Sequence, residues 1–322
     1  MYFPHDKWAT ISPEAAGIPG KALENLLARV EHEDMRMCGL ILLHEGHMVL
    51  EHYWNPKYKE QPKSVASVTK SVVSILAGIA ISEGLLDEDA AVISFFPEAF
   101  SKLFGNGRRK SYAALRVKHL LSMTSGRKND SSWNRKNAVG GFFKPPLANA
   151  PGSHFAYLNG DFNMVAAILQ RVTGKDLLEY ANEKLFIPLG IEKPQWSSTL
   201  NGVRTGCGGL RLKTRDVARI GLLLLAGGVW DGVQTVPKDY LKRASSEQWT
   251  FPDGNRHLGY GYGFWLSALP SGMYYGVGLG GHYCIVLPRH GLICAAIAHG
   301  DMHKLPYALE EEVVQAMWDK SN

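Results

Sequence analysis

The most informative stretch of this chain is SVASVTKSVVSILAGIAISEG, residues 64–84. Apolar residues recur through it at helical spacing, which predicts a helix from about Val68 to Glu83. Ser67 stands at the N-terminus of this predicted helix, and Lys70 follows three residues later. Residues three apart on a helix share one face. We therefore expect the Ser67 hydroxyl and the Lys70 amine to lie within hydrogen-bonding reach of each other.

A serine and a lysine held in this way can act together in nucleophilic catalysis. A neutral amine takes the proton of the hydroxyl and makes a nucleophile of an otherwise inert alcohol. Burial and the positive end of the helix dipole both favour the neutral form of Lys70. The alternative, on position alone, is that Ser67 only caps the helix and Lys70 is solvated.

A second Ser-x-x-Lys spans Ser125 to Lys128. It lies between Gly126 and a polar stretch, residues 129–132, where no helix is predicted to hold the spacing. A motif this short also occurs by chance. Ser67 is therefore the candidate nucleophile, and Ser125 is not.

The composition is that of an ordinary globular protein. The chain has 322 residues, 45% hydrophobic and 20% charged, with a net charge of +5. A chain of this length forms one large domain or two interleaved ones. Its tight basic cluster, Arg108, Arg109 and Lys110, is interpreted as a solvated loop rather than a nucleic-acid site, so no nucleic-acid partner is expected.

A cytoplasmic location is expected. Residues 1–30 contain no apolar segment of the signal-peptide type, and the longest apolar runs, such as residues 220–226, are far shorter than a membrane span. Cys284 and Cys294 fall on neighbouring predicted strands, one register off direct opposition. Buried free thiols are therefore predicted rather than a disulfide, in keeping with a reducing compartment. The short apolar runs also mean that no membrane association is expected.

Strands are predicted at both ends of the chain and helices between them. The strands are a hairpin at 39–53 and four segments at 263–269, 272–277, 283–287 and 292–298. The helices are at 21–31, 68–83, 163–172, 176–186, 216–225 and 306–318, while residues 125–151 are too irregular to assign. The predicted fold is α+β, with an antiparallel sheet built from both termini, flanked by terminal helices and interrupted by an inserted helical region.

Two further groups of residues could take part in catalysis. Tyr157-Leu158-Asn159 stands on a predicted turn before a helix, and a tyrosine near a lysine ammonium can relay a proton. The run from Gly276 to His282 puts glycine inside a strand, which marks a close approach by a ligand or another backbone. A bare strand there could supply one N–H of an oxyanion hole, with the Ser67 N–H as the other. The alternative is a glycine-rich bend between strands.

The chain carries, in this order, Ser-x-x-Lys, Tyr-x-Asn and a glycine-rich strand near the C-terminus. This order of motifs resembles that of the serine β-lactamase and penicillin-binding-protein superfamily. Within it, the chain is similar to the class C β-lactamase-related esterases and amidases, the group that includes the 6-aminohexanoate-dimer hydrolases. The resemblance runs almost from end to end, through residues 13–18, 64–71, 119–126, 151–159, 188–191, 208–210 and 216–219.

This resemblance implies a β-lactamase/transpeptidase-like fold. Residues 1–66 and 203–322 would form the sheet region and residues 67–202 a mainly helical region, with the active site in the cleft between them. Ser67 would be the acylated nucleophile and Lys70 its proton acceptor. Tyr157 would shuttle the proton to the leaving group and later activate water.

The resemblance also implies where substrate is held. The oxyanion hole would consist of the backbone N–H groups of Ser67 and Leu279. Asn159 would hydrogen-bond a substrate amide or steady Lys70. Further substrate contacts are expected at Gly278, Gly280 and His282, although His282 could instead cap a turn. Four aromatic residues just upstream could wall an apolar acyl pocket or pack in the strand core: Tyr260, Tyr262, Phe264 and Trp265.

One departure from the family pattern bears on the substrate. β-Lactamases of the family carry Lys-Thr-Gly on the inner strand, where this chain has Gly276-Val277-Gly278. Without the lysine that holds a substrate carboxylate, a small neutral ester or amide is expected and β-lactams are expected to be poor substrates. The alternatives are a true class C-like β-lactamase or D-Ala-D-Ala peptidase, in which Arg211 or His282 replaces the lysine, and a non-catalytic binding relative.

Other enzyme classes lack their motifs. No G-x-S-x-G elbow of the α/β-hydrolases is present, and no glycine-rich loop with a following Lys-Ser/Thr predicts a phosphate site. Residues 44–47, His-Glu-Gly-His, do not have the spacing of a zinc helix. No cofactor and no metal are expected, and the sequence indicates no particular oligomeric state.

Overall fold

The computed structural model describes residues 1–5, 7–98, 111–129, 138–301 and 303–319. The basic cluster at residues 108–110 lies outside these ranges. Helices with described bounds are α1 (Gly20–His32), α2 (Val68–Ser82), α3 (Val117–Leu121), α4 (Ala138–Phe143), α5 (Asn159–Thr173), α6 (Leu177–Ala181), α7 (Thr214–Leu225), α8 (Lys238–Ala244), α9 (Leu305–Leu309) and α10 (Gln315–Asp319). π-Helical turns follow α6 at Asn182–Phe186 and join α9 to α10 at Glu310–Val314.

The strands fall in groups between these helices along the chain. They are β1 (Met37–His44), β2 (His47–Tyr53), β3 (Lys63–Ser64), β4 (Gln195–Trp196), β5 (Leu210–Leu212), β6 (Val229–Trp230), β7 (Val233–Gln234), β8 (Trp249–Thr250), β9 (His257–Tyr260), β10 (Trp265–Ser267), β11 (Tyr274–Gly278), β12 (His282–Leu287) and β13 (Leu292–Ala298).

In the described part of the chain, one large antiparallel sheet has the strand order β2-β1-β13-β12-β11-β10-β9-β8. The two ends of the chain meet where β1 pairs with β13, with Leu42 opposite Cys294. The prediction of an α+β fold with a sheet built from both termini is thereby confirmed. The division into two regions at residues 66 and 202 stays a prediction.

Each face of the sheet is covered by helices, because each face is apolar. One apolar cluster lies between the sheet and the terminal helices, α1 with α9 and α10, as predicted. The other lies under α2, α5 and α7. Helix α2 is apolar on almost every side, and its residues from Val68 to Ala80 are all buried. It packs between α5 and the inner strand β11.

Some boundaries differ from the prediction. The helix expected from Asn163 begins four residues earlier, at Asn159, because Leu158 holds an extended N-cap conformation directly before it. The strand expected from Gly263 begins only at Trp265. Gly263 has a φ of +80°, and its carbonyl accepts a hydrogen bond from Ser71 of α2, so the strand cannot extend through it. A helix, α4, lies inside residues 125–151, for which the sequence predicts no regular element.

The cysteine prediction is confirmed. Ile285 pairs with Cys294 and Cys284 pairs with Ala295, which is one register off direct opposition. Both thiols are buried and free. Across the described ranges, the helices are all too short or too polar to cross a membrane.

Two strand glycines allow β11 to lie directly against the start of α2. A Cβ added to Gly276 would come within 3.0 Å of the Ser71 hydroxyl, and one added to Gly278 within 3.0 Å of the Val65 carbonyl oxygen. Real Cβ atoms do not make such contacts. The glycine-rich run is therefore a place where two backbones approach closely, which was one of the two interpretations of the sequence.

We predict that Gly278→Ala destabilises the protein, because Val65 is held by backbone pairing and cannot move aside. Overpacking of this kind costs about 1–3 kcal/mol of the free energy of unfolding. Gly208→Ala is the matched control, since its Cβ would meet nothing nearer than 3.7 Å. Urea unfolding of the two variants checks the prediction, and equal stability of Gly278→Ala and Gly208→Ala would contradict it.

Candidate active site

Ser67 is presented on a sharp turn between β3 and α2. Ala66, directly before it, has a φ of +43°, a left-handed conformation that costs a non-glycine residue free energy. The surrounding hydrogen bonds hold this turn in place. Val65 N donates to Leu210 O at 3.0 Å, and Thr69 Oγ1 donates to Ala66 O at 2.6 Å. Strained backbone held in this way is common at functional sites.

Lys70 lies one helical turn below Ser67 and is 1% exposed. Its Nζ is 2.8 Å from Ser67 Oγ, 2.9 Å from Asn159 Oδ1 and 3.0 Å from the carbonyl oxygen of Cys207. The structure therefore brings the predicted serine, lysine and asparagine together. It favours the interpretation in which Asn159 steadies Lys70.

The three neighbours of Lys70 Nζ are not equivalent. The Asn159 amide oxygen and the Cys207 carbonyl can only accept a hydrogen bond, whereas the Ser67 hydroxyl can accept or donate. An ammonium group donates one proton to each. A neutral amine has two protons, which the two obligate acceptors take, and its lone pair is then left facing Ser67. In the neutral form, the contacts with Asn159 and Cys207 thus leave the amine placed to accept a proton from Ser67.

Cys207 was missed as a site residue by the sequence analysis. Its backbone is fixed from both sides: Cys207 N donates to Asn163 Oδ1 at 3.0 Å, and the following strand β5 pairs with β3, which leads into Ser67. A Cβ on Gly206 would collide with the Phe162 carbonyl of α5. The glycines around Cys207 were the available signal, because they mark another close backbone approach.

Tyr157 contacts Lys70 through its ring. Lys70 Nζ lies 4.8 Å from the ring centroid, in a cation–π contact. The ring stacks on Trp265 with centroids 5.5 Å apart and meets Tyr260 edge-on at 6.2 Å. Tyr157 is nevertheless 38% exposed, so part of its side chain faces solvent.

The end of the inner strand lies beside Ser67. The position of a Cβ on Gly278 would be 3.1 Å from Ser67 N. Leu279 follows at the tip of the β11–β12 hairpin and is 76% exposed, and Gly280 has a φ of +101° in the turn. An oxyanion hole formed by the N–H groups of Ser67 and Leu279 stays a prediction.

The two side chains considered as substitutes for the missing lysine have other contacts. His282 is 6% exposed, and its Nδ1 accepts a hydrogen bond from Ala298 N at 3.3 Å. Burial lowers the pKa of His282 to about 4, so the ring carries no charge near neutral pH. Arg211 Nη2 donates to the Pro62 carbonyl at 3.1 Å.

Burial distinguishes the other candidate residues, which are the second Ser-x-x-Lys and the four aromatic side chains. Ser125 is buried and Lys128 is exposed, so the second Ser-x-x-Lys does not form a pair like that of Ser67 and Lys70. Tyr260, Tyr262 and Phe264 are core residues. Of the four aromatic residues proposed as a wall, only Trp265 is half-buried.

Comparison with known proteins gives the family context of this geometry. A family model described as Beta-lactamase matches residues 27–310. The 6-aminohexanoate-dimer hydrolase of Paenarthrobacter ureafaciens is 22% identical over 333 residues, which cover 89% of this chain and 83% of that protein.

Solved structures share the fold. A penicillin-binding protein homologue from Pyrococcus abyssi superposes with a TM-score of 0.71 at 18% identity, over 94% of this chain and 76% of that one. A family VIII carboxylesterase superposes with a TM-score of 0.71 at 16% identity, over 92% of this chain and 96% of that one. At these identities the structural likeness establishes the fold, and the family model establishes the relationship.

We predict that Asn159→Ala lowers kcat by about ten- to a hundredfold with little change in KM, because Lys70 loses an oxygen that orients its lone pair. Steady-state kinetics on a p-nitrophenyl ester measures both constants. Asn201→Ala, in an exposed loop, is the control. A rise in KM with kcat unchanged would instead make Asn159 a substrate-binding residue.

Proposed function

The chain belongs to the beta-lactamase family, and on that premise we propose that it hydrolyses a small neutral ester or amide through an acyl-enzyme on Ser67. Membership of this family makes it a β-lactamase-related serine hydrolase. The observation that carries the finer proposal is the 2.8 Å contact between Lys70 Nζ and Ser67 Oγ, within a site that orients the amine toward the hydroxyl.

Acylation begins with proton transfer from Ser67 Oγ to the neutral Lys70 amine. The oxygen attacks the substrate carbonyl carbon, and the carbonyl oxygen becomes an oxyanion. Backbone N–H groups at a water-poor site stabilise such a charge strongly. Ser67 N, at the start of α2, and Leu279 N, at the end of β11, are the proposed donors.

Collapse of the tetrahedral intermediate expels the leaving group, which must receive a proton. Lys70, now an ammonium, holds that proton, and Tyr157 lies against it with its ring partly exposed to the cleft. Tyr157 is the proposed relay from Lys70 to the leaving oxygen or nitrogen. In the second half-reaction the same groups take a proton from water, which attacks the ester carbon and releases Ser67.

A neutral substrate is supported by the packing of the inner strand. In β-lactamases of the family a lysine stands where this chain has Gly276. Here that position faces Ser71, whose Oγ donates to Gly263 O at 2.7 Å. The side chain of a lysine would collide with this hydroxyl. The site thus lacks both the cation and the space for it.

The first test of this proposal is Ser67→Ala. Loss of a positioned nucleophile should lower kcat on a short p-nitrophenyl ester by on the order of 10³ or more while the protein stays folded. Wild-type protein exposed to an activated ester should gain the mass of one acyl group, and the variant should not.

Two companion variants sharpen this test. Ser125→Ala should be close to normal, because buried Ser125 and exposed Lys128 do not form a pair like that of Ser67 and Lys70. Lys70→Arg should be inactive, since a guanidinium cannot accept a proton at usable pH. A folded Ser67→Ala protein with normal activity would remove Ser67 as the nucleophile and leave a binding role for the cleft.

The second test concerns β-lactams. A charge-assisted hydrogen bond to a carboxylate contributes about 1.5–3 kcal/mol, or about ten- to a hundredfold in rate. Without that cation, kcat/KM for a penicillin or cephalosporin reporter should fall well below that for a neutral p-nitrophenyl ester on the same preparation. A clear preference for the β-lactam would return the protein to the true β-lactamases.

A further inference from the structure

Trp265 lies at the boundary between the two faces of the sheet. It is half-buried and packs against the apolar clusters on both faces, the one under α2 and the one under α1. Its indole stacks on Tyr157 at 5.5 Å, with the two planes 25° apart. It also contacts the ring of His257, with the two ring centroids 4.2 Å apart. Trp265 is thus in contact both with the proposed proton relay and with the packing behind it.

A cavity of about 120 Å³ adjoins the indole. Trp265 and His257 line it together with apolar side chains that include Leu269, Tyr275 and Val277. Val277 alternates along β11 with Gly276 and Gly278, and it belongs to the cluster on the far side of the sheet from α2. The cavity therefore lies on the far side of the sheet from α2, and Trp265 of β10 contacts both the cavity and Tyr157.

The chemistry of this cavity suits an uncharged hydrocarbon group. Burial lowers the pKa of His257 to about 4, so the imidazole is neutral, and its Nδ1 is 3.1 Å from the Tyr275 hydroxyl. The charged Arg256 is exposed and borders the solvent side. A cavity of about 150 Å³ lined by apolar residues holds a benzene molecule. A chain of about four to six carbons is of matching size.

The position of Trp265 decides which half of the substrate it meets. In the proposed mechanism Tyr157 delivers a proton to the leaving group, so the leaving alcohol or amine lies next to Tyr157. The indole stacked on that ring is then the wall that a longer leaving group reaches first. The cavity lies directly behind this wall.

We propose that Trp265 is the specificity-determining residue for the leaving group: its indole closes the cavity off from the catalytic cleft and so restricts the alcohol or amine to a short chain. This inference rests on the proposed function. It predicts that removal of the indole joins the cavity to the cleft and creates an apolar subsite for alkyl chains.

The experiment compares n-alkyl acetates from ethyl to octyl with wild-type protein, Trp265→Ala and Trp249→Ala. These alcohols have nearly equal basicity, and the acetyl-enzyme is common to all, so kcat/KM isolates the effect of chain length on acylation. Each methylene that enters an apolar site contributes about 0.8 kcal/mol, or about fourfold. The hexyl-to-ethyl ratio should rise about ten- to a hundredfold in Trp265→Ala.

Trp249→Ala is the matched control, because Trp249 belongs to the same aromatic cluster through Phe155 but does not line the cavity. The hexyl-to-ethyl ratio of kcat/KM in Trp249→Ala should equal that of the wild type. Leu269→Phe added to Trp265→Ala should refill the cavity and lower the ratio again. Equal ratios in the two tryptophan variants would overturn the inference. So would a change seen only with p-nitrophenyl esters of increasing acyl length.

A binding measurement separates this inference from the proposed function. Saturation-transfer NMR with 1-hexanol needs no turnover. It should detect additional binding to Trp265→Ala, beyond any that the solvent side of the cavity gives in the wild type, and Leu269→Phe should weaken it. Lack of that binding overturns the subsite even in an active esterase. Binding to a protein without esterase activity would instead count against the proposed function alone.

Discussion

The burial of the Lys70 amine is the constraint on which the site depends. A lysine that is 1% exposed cannot rely on water, so the protein must supply hydrogen-bond partners for the protons of its amine. Those partners come from three separate places: Ser67 on the same helix, Asn159 at the start of α5, and the Cys207 carbonyl before β5. Each element has to be held in place for the amine to be satisfied.

The surrounding structure follows from that requirement. Asn163, one turn beyond Asn159 on α5, fixes the Cys207 backbone, so a single helix face sets two of the three oxygens. The short pairing of β3 with β5 ties the same backbone to the turn that carries Ser67. That turn includes Ala66 in a left-handed conformation. Local strain at Ala66 is offset by the packing of α2, which is buried along most of its length.

Periodicity in the sequence was sufficient for the parts that obey local rules. The start of α2, the β1–β2 hairpin and the register of Cys284 against Cys294 were all predicted, because apolar spacing and turn residues determine them. The carbonyl of Cys207 was not, since a backbone oxygen has no residue type to mark it. The early start of α5 was missed because Asn159-Gly160 has the composition of a turn, and tertiary contact to Lys70 outweighs that preference.

The departure from Lys-Thr-Gly is therefore more than the loss of one charge. At Gly276 the space that a side chain would need is taken by Ser71, and at Gly278 it is taken by the backbone of Val65. A lysine at position 276 would have to displace the Ser71 hydroxyl or move β11 away from α2, and that movement would also separate Gly278 from Ser67 N. The proposed preference for an uncharged substrate and the proposed oxyanion hole are thus coupled through the same contact. A change of substrate class in this fold thus requires the helix and the strand to change together.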